Sequence, residues 1–123
     1  MNDFSYYNIN PNKSEEQDCV CRAISLATKL DYNAVDKLLG LVAHCYDCDK
    51  LCLCCYHHLL EDIFNLPIRY CENSETVGEI AQKYPRNILL IRIEGHLSSS
   101  MYGVVYDIWD CTHKLVDCYW IVQ

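Results

Sequence analysis

From Asp18 to about Leu30 the chain reads D-C-V-C-R-A-I-S-L-A-T-K-L, with Val20, Ala23, Ile24, Ala27 and Leu30 at helical spacing. Ser14-Glu15-Glu16-Gln17, just before it, has the pattern of a capping box. Cys19 falls on the row of Ala23, Leu26 and Leu30 and so faces inward at the helix start, whereas Cys21 falls towards Ser25 and Thr28, on a more polar side. Asp31 can cap a second helix through about Val42, striped by Val35, Leu38, Leu39 and Val42. A third helix is expected over Leu53 to Asn65, carrying Leu59, Leu60, Ile63 and Phe64, with Pro67 ending it. Ile68 to Cys71 suits a short strand, and Thr76 to Lys83 a short helix with Val77, Ile80 and Ala81 inward.

The pattern then changes. Asn87 to Glu94 is rich in branched apolar residues, and His96 to Ser100, Val104 to Trp109 and Leu115 to Val122 complete a run of strands. Gly95 breaks or bulges the first pair, and Met101-Tyr102-Gly103 signals a tight turn. Residues 1–13, polar and aromatic, read as an extended arm or loop. Helices first and antiparallel strands last predict an α+β fold. No internal repeat or linker divides the 123 residues, so one domain over 1–123 is expected.

Composition narrows the function classes. Apolar residues make up 51% and charged residues 22%, as in a packed domain. Seventeen acids against ten bases give a formal charge of -7, which argues against a nucleic-acid partner. The ten tyrosines therefore suit packing better than base stacking. No apolar run approaches the ~20 residues of a membrane span. The start, M-N-D-F-S-Y-Y-N-I-N-P-N-K, lacks a basic end followed by an apolar stretch. The expected location is the cytoplasm, where the ten cysteines stay reduced. Spacing agrees, since adjacent Cys54 and Cys55, and the one-apart pairs Cys19/Cys21 and Cys52/Cys54, rarely reach disulfide geometry with each other.

One thiol, one imidazole and one carboxylate stand out. Cys19 lies at a helix N-terminus, where the dipole and free N–H groups favour a thiolate. His96 is a candidate base on a strand, and Asp107, on the next strand, can hold the imidazole in one tautomer. A carboxylate among the strand apolars of V-V-Y-D-I-W needs a partner, and a histidine is a natural one. If Tyr102-Gly103 is a two-residue turn, Met101 pairs with Val104 and Ser98 faces Asp107. Asp107 is then the diagonal neighbour of His96, with Trp109 opposite the histidine, while Asp110 points to the other face unless the chain bends after Trp109.

D-C-V-C-R-A-I-S-L-A-T, followed far downstream by G-H-L and V-Y-D-I-W-D-C, resembles small papain-like cysteine peptidase-fold proteins of bacteria and phages, related to the bacteriocin-leader peptidase type. The resemblance spans roughly residues 15 to 122. It implies N-terminal helices packed on a C-terminal antiparallel sheet, with Cys19 as nucleophile, His96 as base and Asp107 as orienting acid. Papain-like enzymes carry an oxyanion-hole glutamine several residues before the cysteine. Here Gln17 lies two residues before it, and Asn10 and Asn12 are the other side-chain candidates. The implied activity is a cysteine hydrolase acting on peptide, isopeptide or amide bonds of a peptide or protein substrate, with no cofactor required. The alternative is a non-catalytic, phage-encoded binding protein that holds a host protein.

A second constellation is H-C-Y-D-C-D-K-L-C-L-C-C-Y-H-H. Cys45-x-x-Cys48 has a metal-knuckle spacing, and a structural zinc would take Cys45, Cys48 and Cys52, with Cys55 or a nearby histidine as the fourth ligand. The competing expectation is a loop and helix with reduced thiols, since all these donors fall within one short segment and Asp47 and Asp49 add negative charge.

Overall fold

A computed structural model describes residues 3–12 and 18–123. The expected capping box at 14–17 and the candidate Gln17 lie outside the described residues. The chain runs β1 (Phe4–Tyr6), α1 (Cys19–Thr28), α2 (Tyr32–Tyr46), α3 (Leu53–His58) followed by a π-helical turn (Leu59–Ile63), α4 (Val77–Lys83), β2 (Ile88–Ile93), β3 (His96–Met101), β4 (Val104–Asp107) and β5 (Cys118–Ile121). The fold is α+β, and the described residues form four α-helices and a five-stranded sheet in the order β1-β4-β3-β2-β5.

The sheet is mixed, not antiparallel throughout. β1 pairs in parallel with β4, Phe4 opposite Val105 and Tyr6 opposite Asp107. The arm thus covers an edge that would otherwise present unpaired N–H and C=O groups. It also fixes the end of β4, because the Tyr7 N–H donates to the Asp107 carbonyl at 2.9 Å.

β2 lies between β3 and β5 and is apolar at consecutive positions because both its faces are covered. On one side Ile88 and Leu90 join Trp120 and Leu97 beneath α1, α2 and the α3 segment. On the other, Leu89, Ile91 and Ile93 pack with Val77, Ile80 and Ala81 of α4. Thr76 and Glu79 form a reciprocal capping box that starts α4.

The predicted third helix is not uniform. After His58 it widens, the Phe64 N–H donating to the Leu59 carbonyl at 3.1 Å. The wider turn accommodates Leu59 and Leu60, adjacent in sequence and both fully buried. Ile68 to Cys71 contributes one bridge, Arg69 to Tyr119, and no strand. Cys21 is also corrected: it is buried, not on a polar side, because α2 packs against that face of α1 and the thiol meets the Tyr32 carbonyl at 3.3 Å.

The two hairpins set the site's geometry. Glu94-Gly95 joins β2 to β3 with Ile93 opposite His96, so Gly95, at φ 72°, makes the turn and bulges neither strand. Tyr102 and Gly103, at φ 53° and 84°, turn β3 into β4 with Met101 opposite Val104 and Ser99 opposite Tyr106. His96, first in β3, and Asp107, last in β4, therefore meet at the same end of the sheet.

Candidate active site

The N-terminus of α1 brings Cys19 to that end of the sheet. Helix α1 is buried almost all round, and Asp18, the residue before it, gathers donors instead of capping the helix. Its carboxylate accepts from Tyr32 Oη at 2.7 Å and from Asn10 Nδ2 at 2.9 Å, and it pairs with Arg22 one turn on. Arg22 is 6% exposed, and its other arm lies 3.8 Å from Asp107 Oδ1. This buried guanidinium ties the helix that carries the thiol to the strand that carries the acid.

His96 Nε2 and Asp107 Oδ2 are 2.6 Å apart, and the second carboxylate oxygen of Asp107 accepts from the Ile108 N–H at 2.7 Å. With Nε2 engaged, Nδ1 is the ring nitrogen left for Cys19. Burial acts to raise the Cys19 pKa, but hydrogen bonds from His96 and the Leu97 backbone, with the positive charges of His96 and Arg22, outweigh it and hold the thiol below its ordinary value. Burial opposes the charge on His96, yet hydrogen bonds with Asp107, Cys111 and Cys19 push its pKa up to about 11. Burial likewise opposes ionisation of Asp107, and the His96 hydrogen bond and charge reverse the effect, holding the carboxyl below the usual range. The favoured state is a thiolate beside an imidazolium beside a carboxylate.

Asp107 meets His96, whereas exposed Asp110 accepts from the Thr112 hydroxyl at 2.5 Å and its N–H at 3.0 Å. The Trp109 ring lies 5.1 Å from the His96 ring and covers it, although β4 ends two residues earlier. A cleft of about 330 Å³ opens beside the thiol, walled by Cys19, Arg22, Leu51, Gly95, His96, Ile108 and Trp109. A hollow of about 670 Å³ adjoins it across His96 and Trp109, lined by Glu94, His113, Lys114 and Leu115 among others. An acyl group and its leaving amine need such room on either side of a nucleophile and its acid.

Asn10 is not placed as an oxyanion donor. Its amide N–H groups go to Asp18 and Tyr32, and its oxygen accepts from the Asn12 N–H at 2.9 Å. Backbone N–H groups at the start of α1, which have no intrahelical partner, remain as donors. Sequence reasoning missed Arg22 and Cys111. The Asp18-x-x-x-Arg22 spacing of an ion pair was legible for the first. Cys111 is fully buried with its sulfur 3.8 Å from Asp107 Oδ2, placed there by the turn after β4, and no local pattern signals that contact.

Among the described residues, one group of three donors has all its ligand atoms within 4.8 Å of one another: His96, Asp107 and Cys111. It could hold a metal ion, but the His96–Asp107 hydrogen bond already engages two of the three. Cys45, Cys48, Cys52 and Cys55, the expected zinc ligands, are not gathered in that way. Cys45 is exposed near the end of α2, Cys48 is half-buried and Cys55 is buried. Cys52, exposed, contacts Cys54 with the sulfurs 2.8 Å apart. No described helix is long and apolar enough to cross a membrane.

Comparison of the chain with family models, with curated proteins and with solved structures gives no match.

Proposed function

We propose that the protein is a papain-like cysteine hydrolase acting on a peptide, isopeptide or amide bond of a peptide or protein substrate. The observation that carries this reading is the His96–Asp107 pair at 2.6 Å, with His96 and Cys19 lining the same cleft. The Cys19 thiolate adds to the carbonyl carbon, and N–H groups at the start of α1 receive the oxyanion. The His96 imidazolium gives its Nδ1 proton to the leaving amine as the C–N bond breaks. A water then enters, His96 takes its proton, and the hydroxide adds to the thioester. Collapse expels the Cys19 thiolate and restores the pair. Asp107 holds the Nε2 proton throughout and so presents Nδ1 to the reacting atoms.

The test is a panel of fluorogenic peptide, isopeptide and amide substrates given to the wild-type protein and to Cys19→Ser. Turnover by the wild type, its loss in the variant, and an acyl adduct mapped to Cys19 by mass spectrometry are the expected results. A folded protein whose Cys19 reacts with a small electrophile, yet forms no acyl adduct and turns over nothing, would overturn hydrolysis and leave a binding protein built on the same scaffold.

A further inference from the structure

The segment between α2 and α3, together with the first turn of α3, holds thiols that the proposed hydrolysis does not use. Cys52 and Cys54 are both exposed, and their sulfurs touch at 2.8 Å. Contact between two accessible sulfurs on one short stretch is the arrangement that exchange with an external disulfide needs: one sulfur to attack and another to resolve. We propose that Cys52 and Cys54 form a thiol–disulfide exchange site for low-molecular-weight disulfides.

Where Cys52 attacks first, its thiolate adds to one sulfur of the external disulfide. That S–S bond breaks, one small thiolate leaves, and a mixed disulfide remains on Cys52. The Cys54 thiolate, having given up its proton to solvent, then attacks the Cys52 sulfur and expels the second small thiolate. The two protein thiols are oxidised by two electrons, and the external disulfide is reduced to two thiols.

Each thiol is exposed and in contact with the other, so whichever attacks first leaves the other in place to resolve the mixed disulfide. An exposed disulfide of this kind is readily reduced, so the exchange is reversible. The ring closes next to Leu51, which forms part of the wall facing Cys19.

Oxidised glutathione is the probe, added to reduced wild-type protein purified without a metal-affinity tag, with peptide mapping after quenching. The expected product is an intramolecular Cys52–Cys54 disulfide with two equivalents of reduced glutathione released. Cys54→Ser should arrest the reaction as a mixed disulfide on Cys52, and Cys52→Ser should arrest it as a mixed disulfide on Cys54. A stable wild-type adduct on Cys52, a disulfide from Cys52 to any other cysteine, or an unreactive Cys52 shielded by bound zinc would overturn the proposal. Mapping reads these thiols separately from Cys19, so the result stands whether or not the hydrolase reading does.

Discussion

Arg22→Ala should destabilise the protein by about 3–5 kcal/mol, the usual cost of removing one partner from a buried charge pair. Arg22 is nearly inaccessible and lies between Asp18 and Asp107, whose carboxylates are themselves largely buried. Alanine leaves both acids without that cation, although Asp18 keeps its bonds from Tyr32 and Asn10 and Asp107 keeps His96. Arg22→Lys keeps the charge but loses the planar fork that spans two acceptors, so it should fall between alanine and the wild type. Chemical denaturation of the three proteins checks the order. A loss below about 1 kcal/mol for alanine would show that Arg22 does not hold α1 to β4.

Asp107→Asn should lower the acylation rate by about 10²–10⁴-fold, the range associated with positioned acid–base catalysis. Asparagine has the shape of the carboxylate without its charge, so His96 loses the partner that favours its imidazolium. The Cys19 thiol then drifts up towards its ordinary pKa, because the cation that lowers it is populated less. Iodoacetamide alkylation of Cys19 reads this directly, before any substrate is known. Asp110→Asn should leave that rate close to the wild type, since Asp110 is exposed and serves Thr112. A larger effect at Asp110 than at Asp107 would overturn the assignment.

The meeting of His96 and Asp107 was legible because a two-residue turn fixes pairing on both sides of it. Tyr102 and Gly103 both adopt positive φ, Met101 faces Val104, and every later pair follows. The helix start at Cys19 was legible from apolar spacing. β1 was not: three residues carry too little alternation to mark a strand, and its partner lies near the other end of the sequence. The inward turn of Cys21 was missed because α1 is covered on more than one side, so a single apolar stripe misjudges which positions are buried. The π-helical turn was missed because a uniform helical period cannot bury both Leu59 and Leu60 at the same depth. Cys111 and the Asn10–Asp18–Tyr32 bonds depend on tertiary contacts between segments with no shared local pattern.

The ionised pair at the centre of the account has a definite pH signature. Cys19 lies below its ordinary pKa, so its contribution to stability is full above the unfolded thiol value and is lost as pH falls through the depressed one. His96 lies above its ordinary value, so its contribution is full below ~6.5 and fades as pH rises towards about 11. Between the lowered thiol pKa and about 11, thiolate and imidazolium coexist. The most direct test is the rate of Cys19 alkylation by iodoacetamide across pH, resolved by residue with mass spectrometry. The account predicts a rate that reaches its plateau below the free-thiol value of ~8.5, while buried Cys21, pushed up to about 12, stays unmodified. A Cys19 rate that instead rises only through the ordinary thiol range, unchanged by Asp107→Asn, would contradict it.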